Sequence, residues 1–264
     1  MIEMSNEELV KTQFGSNAEK YVNSQIHAKG PDLQYVVQQV KNRKNIRLLD
    51  IATGGGHVAN LLAPIFKEVV ALDLTEKMLE KAKVFIQTNG HENVSFVVGN
   101  AEDLPFSNQS FDTIICRIAA HHFSNPSQFI FEVHRKLEEN GLFILIDNVS
   151  PENLEYDTFY NFIEKKRDPS HRRALRKTEW ISLLEKQGLQ MQSCFTFEKQ
   201  FNFDWWCNMM DVPSPTRSKL TDCMMKTSNE MKEFFNIQFN NNKVESFYTE
   251  MALFVCHKSS TLKR

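Results

Sequence analysis

Leu48-Leu49-Asp50-Ile51-Ala52-Thr53-Gly54-Gly55-Gly56-His57 is the stretch on which the fold turns. An apolar run ends near an acid, three glycines follow, and a helical pattern begins at once. Clustered glycines let a backbone approach a ligand closely and open a helix N-terminus towards it. Val58, Leu61, Leu62, Ile65 and Phe66 carry the helical pattern, at the three- and four-residue spacing of one amphipathic face. The alternation repeats outward from this loop. Residues 46–51, 69–74, 94–98, 111–116 and 142–146 are short apolar runs without clean polar alternation, which fits strands buried on both faces of a parallel sheet. Leu33, Val36, Val37 and Val40 form a helical stripe opened by Pro31. Met78, Leu79, Ala82, Phe85 and Ile86 form another, with Thr75 as its cap and Gly90 near its end. Asn125-Pro126 starts a further one through Phe129, Ile130, Val133 and Leu137, with Gly141 closing it. Strand and helix in this order predict an α/β fold with a doubly wound, mostly parallel sheet and right-handed crossovers.

The second half has another texture. Residues 150–177 are polar and charged and lead into a helix over about 178–187, ended by Gly188. Leu189, Met191, Phe195, Phe197 and Phe201 fall on odd positions, as do Phe247, Met251, Leu253 and Val255; each set predicts a strand with one buried face. The residues between, about 202–246, mix aromatics, methionines and helix formers and read as helices laid over the sheet. The stretch Phe201, Phe203, Trp205, Trp206, Met209, Met210 fits a hydrophobic substrate wall, a helical core, or the interface of a homodimer.

Composition narrows the function. A chain of 264 residues with 41% apolar residues supports a single domain with a sizeable core. With 31 basic and 33 acidic side chains it has no large field to attract a phosphate backbone, so nucleic acid is not expected. The crowding of Lys165, Lys166, Arg167, His171, Arg172, Arg173, Arg176 and Lys177 reads first as a solvated face. Five cysteines without a C-x-x-C pair indicate neither a disulfide framework nor zinc, which points to a reducing, cytoplasmic setting. No signal core and no membrane-spanning run is read, and no His, Asp or Glu cluster has the spacing of metal ligands, so no metal is expected.

Taken alone the glycine loop is ambiguous. Gly54, Gly56 and Ala59 satisfy the G-x-G-x-x-G/A dinucleotide fingerprint, and Asp73 stands where a ribose-binding acid belongs. An NAD(P)-binding oxidoreductase is therefore a real alternative. Asp50 argues against it, because a pyrophosphate gains nothing from an acid so close, whereas an amino-acid moiety and a sulfonium would favour one. The polar turn Gly99-Asn100-Ala101-Glu102-Asp103-Leu104-Pro105-Phe106 can hydrogen-bond an adenine edge. No Tyr-x-x-x-Lys pair is present for short-chain dehydrogenase chemistry.

Residues 50–56 resemble the D-x-G-x-G-x-G loop of class I S-adenosylmethionine methyltransferases. Ala71-Leu72-Asp73-Leu74-Thr75-Glu76-Lys77-Met78-Leu79 resembles their second motif, Gly99 to Phe106 their G-D-A-E-x-L-P-F turn, and Phe111-Asp112-Thr113-Ile114-Ile115-Cys116-Arg117 with His121-His122-Phe123 the fourth. The branch most similar is the type 11 group, which includes ubiquinone and menaquinone C-methyltransferases; the entry segment Phe14-Gly15-Ser16-Asn17-Ala18-Glu19-Lys20-Tyr21 fits it too. The resemblance implies a seven-stranded Rossmann-like sheet whose last strand is antiparallel, with a helical cap between the last two strands. It also implies a single domain over 1–264, divided into an N-terminal lid (1–30), a cofactor-binding core (31–150) and a substrate-side half (151–264) with its cap at about 202–246.

The cofactor implied is S-adenosylmethionine, the partner a small-molecule methyl acceptor, and the reaction an in-line displacement at carbon or oxygen. A non-catalytic S-adenosylmethionine-binding protein is a further alternative, since no residue is committed to chemistry. Asp73 would accept the ribose hydroxyls, with Leu74 beside it. Ala52, Thr53, Gly54 and Gly56 would make room for the methionine part, and Asp50 would hold that loop or the ammonium. Asn100, Ala101 and Glu102 would face the adenine, Arg117 would lie near the methionine end, and Tyr21 would close over the cofactor. Two departures from the family pattern stand out. Ala52 replaces the first glycine, tolerable if its φ is negative, and Asn100 replaces an aspartate, its amide oxygen still able to accept from the adenine amine. A general base is needed only if the acceptor arrives protonated; His122 and His171 are the candidates. Arg167 and His171 are candidate substrate contacts. The absence of Asn-Pro-Pro-Tyr or Asp-Pro-Pro-Tyr after the fourth strand lowers the case for an amide or base amine as acceptor.

Overall fold

A computed structural model describes residues 5–22, 28, 30–43 and 46–259; the parts of the expected lid at 1–4, 23–27 and 29 lie outside the described residues. The elements run α1 (Asn6–Val22), α2 (Asp32–Val40), β1 (Arg47–Ile51), α3 (His57–Leu62), β2 (Glu68–Asp73), α4 (Glu76–Thr88), β3 (Val94–Val98), β4 (Phe111–Arg117), a 3-10 turn (Ala120–His122), α5 (Pro126–Lys136), β5 (Leu137–Val149), α6 (Leu154–Arg167), α7 (Lys177–Lys186), β6 (Leu189–Asn202), α8 (Phe203–Asn208), α9 (Ser214–Lys226), α10 (Asn229–Phe234), β7 (Gln238–Asn240) and β8 (Lys243–Lys258).

Seven strands pair in the order β3-β2-β1-β4-β5-β8-β6, and the short β7 pairs with the start of β8. β1 to β5 are parallel, while β8 runs antiparallel to both β5 and β6. The chain winds outward from β1 to β3, then returns to place β4 on the other side of β1. That reversal opens a crevice beyond the carboxyl ends of β1 and β4, where ligands bind in open α/β sheets. Successive side chains of a strand point to opposite faces, and both faces here are covered. Leu49, Ile51, Val70, Leu72 and Ile114 pack with Phe129, Val133, Trp180 and Leu184 on one face. Leu48, Val69, Ala71 and Ile115 pack with Val36, Val40, Val58 and Leu62 on the other.

Asn125 caps α5 by accepting from the Gln128 amide, with Pro126 in the first turn. Two details of the sequence reading are corrected. Thr75 stands at the cap position of α4 but makes no side-chain cap bond; its own amide donates to Asp73 instead. Gly141 does not close α5. The helix stops at Lys136 because Leu137 turns extended (ψ 134) to pair with Phe111. Gly141 lies in a tight bend inside β5, where a Cβ would come 2.6 Å from Leu137 Cγ. Residues 150–177 also hold a helix, α6, whose buried side is Asp157, Tyr160, Ile163 and Glu164. Half of that side is acidic, which hides its amphipathic period. The elements between β6 and β8 form a third apolar cluster with α6, built on Tyr160, Ile163, Phe203, Trp206, Met210, Leu220 and Phe247. The aromatic stretch after residue 200 therefore packs inward. Among the described residues no helix is long and apolar enough to cross a membrane.

Candidate active site

The loop after β1 is folded by its own acid. Asp50 is buried at the end of the strand; its Oδ2 accepts from Thr53 Oγ1 (2.6 Å) and from the Ala59 amide (3.1 Å). Burial pushes its carboxyl up to about 7, against the pull of those two bonds. The Thr53 amide donates to Leu72 O (2.9 Å), which ties the loop to β2. Gly54 and Gly56 sit at φ 54 and 81, and a Cβ on Gly56 would meet Ile86 Cδ1 at 2.9 Å. Glycine is required there twice over. The expectation for Ala52 is corrected: its φ is +53, left-handed, where a Cβ crowds the following carbonyl at a cost of about 1–2 kcal/mol. Ala52→Gly should therefore raise stability in urea denaturation by several tenths to about 1 kcal/mol, once the roughly 0.4–1 kcal/mol of added unfolded-state freedom is subtracted. A loss of stability would mean the alanine is not strained.

Asp73 closes β2. Its Oδ2 accepts from the Gly54 amide (3.0 Å) and its Oδ1 from the Thr75 amide (2.9 Å). Burial raises its pKa while these bonds hold it back. Asn100 is half-buried, and both ends of its side-chain amide have partners in the protein. Its Oδ1 accepts from the Glu102 amide (2.8 Å) and its Nδ2 donates to Glu7 Oε1 (2.8 Å). The amide thus pairs with a carboxylate from α1, which an aspartate at this position would repel. Glu102 also differs from expectation: its Oε1 accepts from the amides of Ser124 and Asn125 (2.6 and 3.1 Å), holding the turn after the 3-10 segment.

Arg117 ends β4 and reaches Asp32 at the start of α2 in a bidentate pair, Nε to Oδ2 at 2.5 Å and Nη2 to Oδ1 at 3.1 Å. Both side chains are buried. α1 lies across the crevice. Asn6 Nδ2 donates to His122 O (2.7 Å), Gln13 Nε2 to Met210 O (3.2 Å), and Tyr21 OH to Met210 Sδ (3.5 Å). His57 Nε2 donates to Tyr21 O (3.0 Å), and the α1 backbone at Val22 passes so close that a Cβ on Gly55 would sit 3.1 Å from it.

Two cavities result. The outer cleft, about 1210 Å³ with its open mouth, is lined by Tyr21, Asp50, Ala52, Thr53, Gly54, Asp73, Leu74, Asn100, Ala101, Glu102 and Arg117. Gly56 is not on its wall and acts through the loop. The inner chamber, about 630 Å³ with its open mouth, is lined by His121, His122, Glu164, Arg167, Asp168, His171 and Lys199 together with the apolar Trp205, Trp206, Met209 and Met210. Phe14, Tyr21, Ile118 and His122 line both.

The adjacent histidines are pushed to opposite states. Burial alone would lower His121, but Asp147 Oδ1 at 2.6 Å from its Nδ1 outweighs that and raises it. His122 falls to about 4 through burial and the charge of His121. Ser170 Oγ donates to Asp168 Oδ1 (2.6 Å), so the 3.2 Å contact between Ser170 Oγ and His122 Nδ1 is a donation from His122. Its Nε2 then carries the lone pair. Asp168 Oδ2 lies 3.9 Å from it. His171 donates from Nε2 to Asn161 Oδ1 (3.0 Å) and is held far below the usual imidazole range by burial and by both other histidines.

A methyltransferase domain model of the type 11 group matches residues 49–145. The uncharacterized methyltransferase YcgJ of Bacillus subtilis is 36% identical over 239 residues, covering 90% of this chain and 93% of its own. The chain belongs to the type 11 class I methyltransferases. A methyltransferase-family crystal structure from Bacillus halodurans C-125 superposes with a TM-score of 0.86 at 42% identity, over 88% of this chain and 100% of that one. The demethylmenaquinone methyltransferase of Thermotoga maritima is 32% identical over 160 residues, 58% of this chain and 67% of its own.

As a member of this family the protein is an S-adenosylmethionine-dependent methyltransferase, and the oxidoreductase alternative falls. The crevice suits that cofactor on its own evidence: a buried acid ends β2 and accepts from the Gly54 amide of a loop whose turn has left-handed glycines at 54 and 56. Of the residues singled out in the sequence, those named above line one cleft, and Arg167 and His171 lie together in the inner chamber. It missed Asp32, Glu7 and His57, which act on the cleft from flanking elements, and Lys199, Glu164 and Asp168 in the chamber. Lys199 was within reach, since it shares the odd-numbered face of β6 with Phe197 and Phe201.

Proposed function

We propose that the protein transfers a methyl group to carbon or oxygen of a small-molecule acceptor held in the inner chamber. One observation carries this reading: the two cavities meet at Phe14, Tyr21, Ile118 and His122, so a group held in the cleft can face a molecule in the chamber. The cofactor, when bound, supplies an electrophilic methyl group on a sulfonium with a good leaving group. The chain supplies alignment and dryness, and orientation alone contributes roughly 7–11 kcal/mol where reacting atoms are well held. Asp73 accepts the ribose hydroxyls with the lone pairs its two amide bonds leave over. The Asn100–Glu102 turn lies along the adenine, Ala52 to Gly56 make room for the amino-acid tail, and Asp50 takes its ammonium. Arg117 bounds the methionine end, while Phe14 and Tyr21 exclude water from above. Where the acceptor is a hydroxyl, its proton goes to His122 Nε2, which is neutral at physiological pH and bordered by both cavities. His171, whose Nε2 is already donating and whose basicity is lower, is the second choice. Five free cysteines support a cytoplasmic location.

Calorimetry tests the reading directly. S-adenosylmethionine should bind, and NADH should give no heat. Titration at pH 6.5 in buffers of different ionisation enthalpy should show proton release, because an ammonium beside Asp50 pulls its carboxyl down from about 7. Asp50→Asn should abolish that release. The sign is opposite for the unliganded protein: a carboxyl raised on folding stabilises it at low pH, and this contribution is lost as pH rises to about 7. Binding without proton exchange would move the ammonium away from Asp50.

A further inference from the structure

We propose that the inner chamber is built for an acceptor that carries a carboxylate on an apolar body, with Lys199 and Arg167 as the carboxylate's anchors. The inference rests on the methyl-transfer reading of the adjoining cleft and names the chemical class of acceptor.

Lys199 Nζ has three hydrogens, and one is used, in a 3.0 Å bond to Asn148 Oδ1. Its ammonium lies 5.0 Å from the Phe201 ring centre. Among the described residues no carboxylate stands within ion-pair distance of it, and its nearest polar partner is the Asn148 side-chain amide. Burial, with the positive charge of Arg117 added, pulls it down to about 8, against the more distant pull of Glu164, Asp32 and Asp147. Arg167 is stacked on Trp206, 5.0 Å from its ring. Its Nη1 donates to Glu164 Oε2 (2.7 Å), but its Nε is buried with no acceptor.

The chamber's own acids are already engaged. Glu164 Oε1 takes the Trp206 indole N–H (3.4 Å), and Asp168 Oδ1 takes both the amide and the hydroxyl of Ser170 (2.8 and 2.6 Å). Donors are therefore in surplus in a place that water reaches poorly, and leaving buried donors unpaired is costly. A ligand that brings oxygen acceptors satisfies them. A planar pair of oxygens matches the guanidinium fork. Arg167 has Glu164 as its ion-pair partner, whereas no ion pair of Lys199 occurs among the described residues, so Lys199 is the cation of the chamber that a ligand's carboxylate would pair with directly. Trp205, Met209 and Met210 line the same chamber and offer an apolar surface for the rest of the molecule, and His122 lines both the chamber and the cleft.

The test uses the protein saturated with S-adenosylhomocysteine, the demethylated product, and two probes of one shape, 3-phenylpropanoate and 3-phenylpropanol. Binding is followed by calorimetry and by tryptophan fluorescence. The acid should bind and the alcohol should bind roughly tenfold or more weakly; Lys199→Met should cost the acid roughly tenfold to a hundredfold in affinity. Lys199→Arg should restore most of it. S-adenosylhomocysteine affinity should be the same in all three proteins, which reports intact folding and an intact cleft. The proposal is overturned if acid and alcohol bind alike, if neither binds the wild-type protein, or if Lys199→Met leaves acid binding unchanged. Failure of S-adenosylhomocysteine to bind the wild-type protein would instead bring down the cleft reading itself, so the two failures are told apart by that first titration.

Discussion

Asp73→Ala should weaken S-adenosylhomocysteine binding by roughly tenfold to a hundredfold, the value of a charge-assisted hydrogen bond of about 1.5–3 kcal/mol. The expectation has two sources. The carboxylate is buried at the end of β2, and each of its oxygens has a lone pair beyond the bonds from Gly54 and Thr75, so it can receive two ribose hydroxyls from a fixed position. The same carboxylate also shapes the loop. Without it, two amides lose their acceptor, and the bend that accommodates the amino-acid tail is no longer pinned to β2. Asp73→Asn should be nearly as damaging. Whichever way its amide turns, an NH₂ group faces one of the two backbone N–H groups, a donor against a donor. Calorimetry on both variants separates the contributions, since alanine leaves space for water and asparagine does not. An unchanged dissociation constant in Asp73→Ala would place the ribose elsewhere.

How far the site could be read from the sequence follows from how local its causes are. The loop at residues 50–56 and the acid at 73 were legible because strand ends and glycine turns leave short-range marks, and the β1–β5 runs were legible because burial on both faces removes polar residues. What escaped depends on contacts distant in sequence. The left-handed φ of Ala52 is set by how the loop is pulled back to Asp50 and Leu72, and its residue type gives no sign of it. Asn100 looked like a free adenine acceptor, yet its amide is spent between Glu102 and Glu7, the latter from a helix at the other end of the chain. α6 was hidden because Asp157 and Glu164 occupy buried positions. They are tolerable there only because Arg173 and Arg167 reach them. The basic run that read as a solvated face is in part the counter-charge for those acids.

Asp32→Ala is expected to have the largest effect on stability, about 3–5 kcal/mol in urea denaturation, although nothing in the sequence marks Asp32 as more than a helix-start acid. Its side chain is fully buried and grips the guanidinium of Arg117, itself only 6% exposed. Taking away one partner of such a pair leaves a charge in a place where water cannot solvate it, and this penalty exceeds what the pair contributes when intact. The surroundings are shaped for the pair: a Cβ on Gly30 would lie 2.2 Å from Asp32 Oδ1 and 2.7 Å from Arg117 Nη2, so only glycine lets the two meet. The double variant Asp32→Asn with Arg117→Met, which removes both charges, should recover most of the loss. If the single and double variants were equally unstable, shape rather than charge would be the cause. Because Arg117 also lines the outer cleft, the two variants should differ in cofactor binding as well. In Asp32→Ala the positive charge of Arg117 at the cleft wall is no longer offset by the Asp32 carboxylate, and like charges near the cofactor's ammonium should lower affinity. The double variant, with no cation at that wall, should bind S-adenosylhomocysteine more tightly than the single one even where both are fully folded.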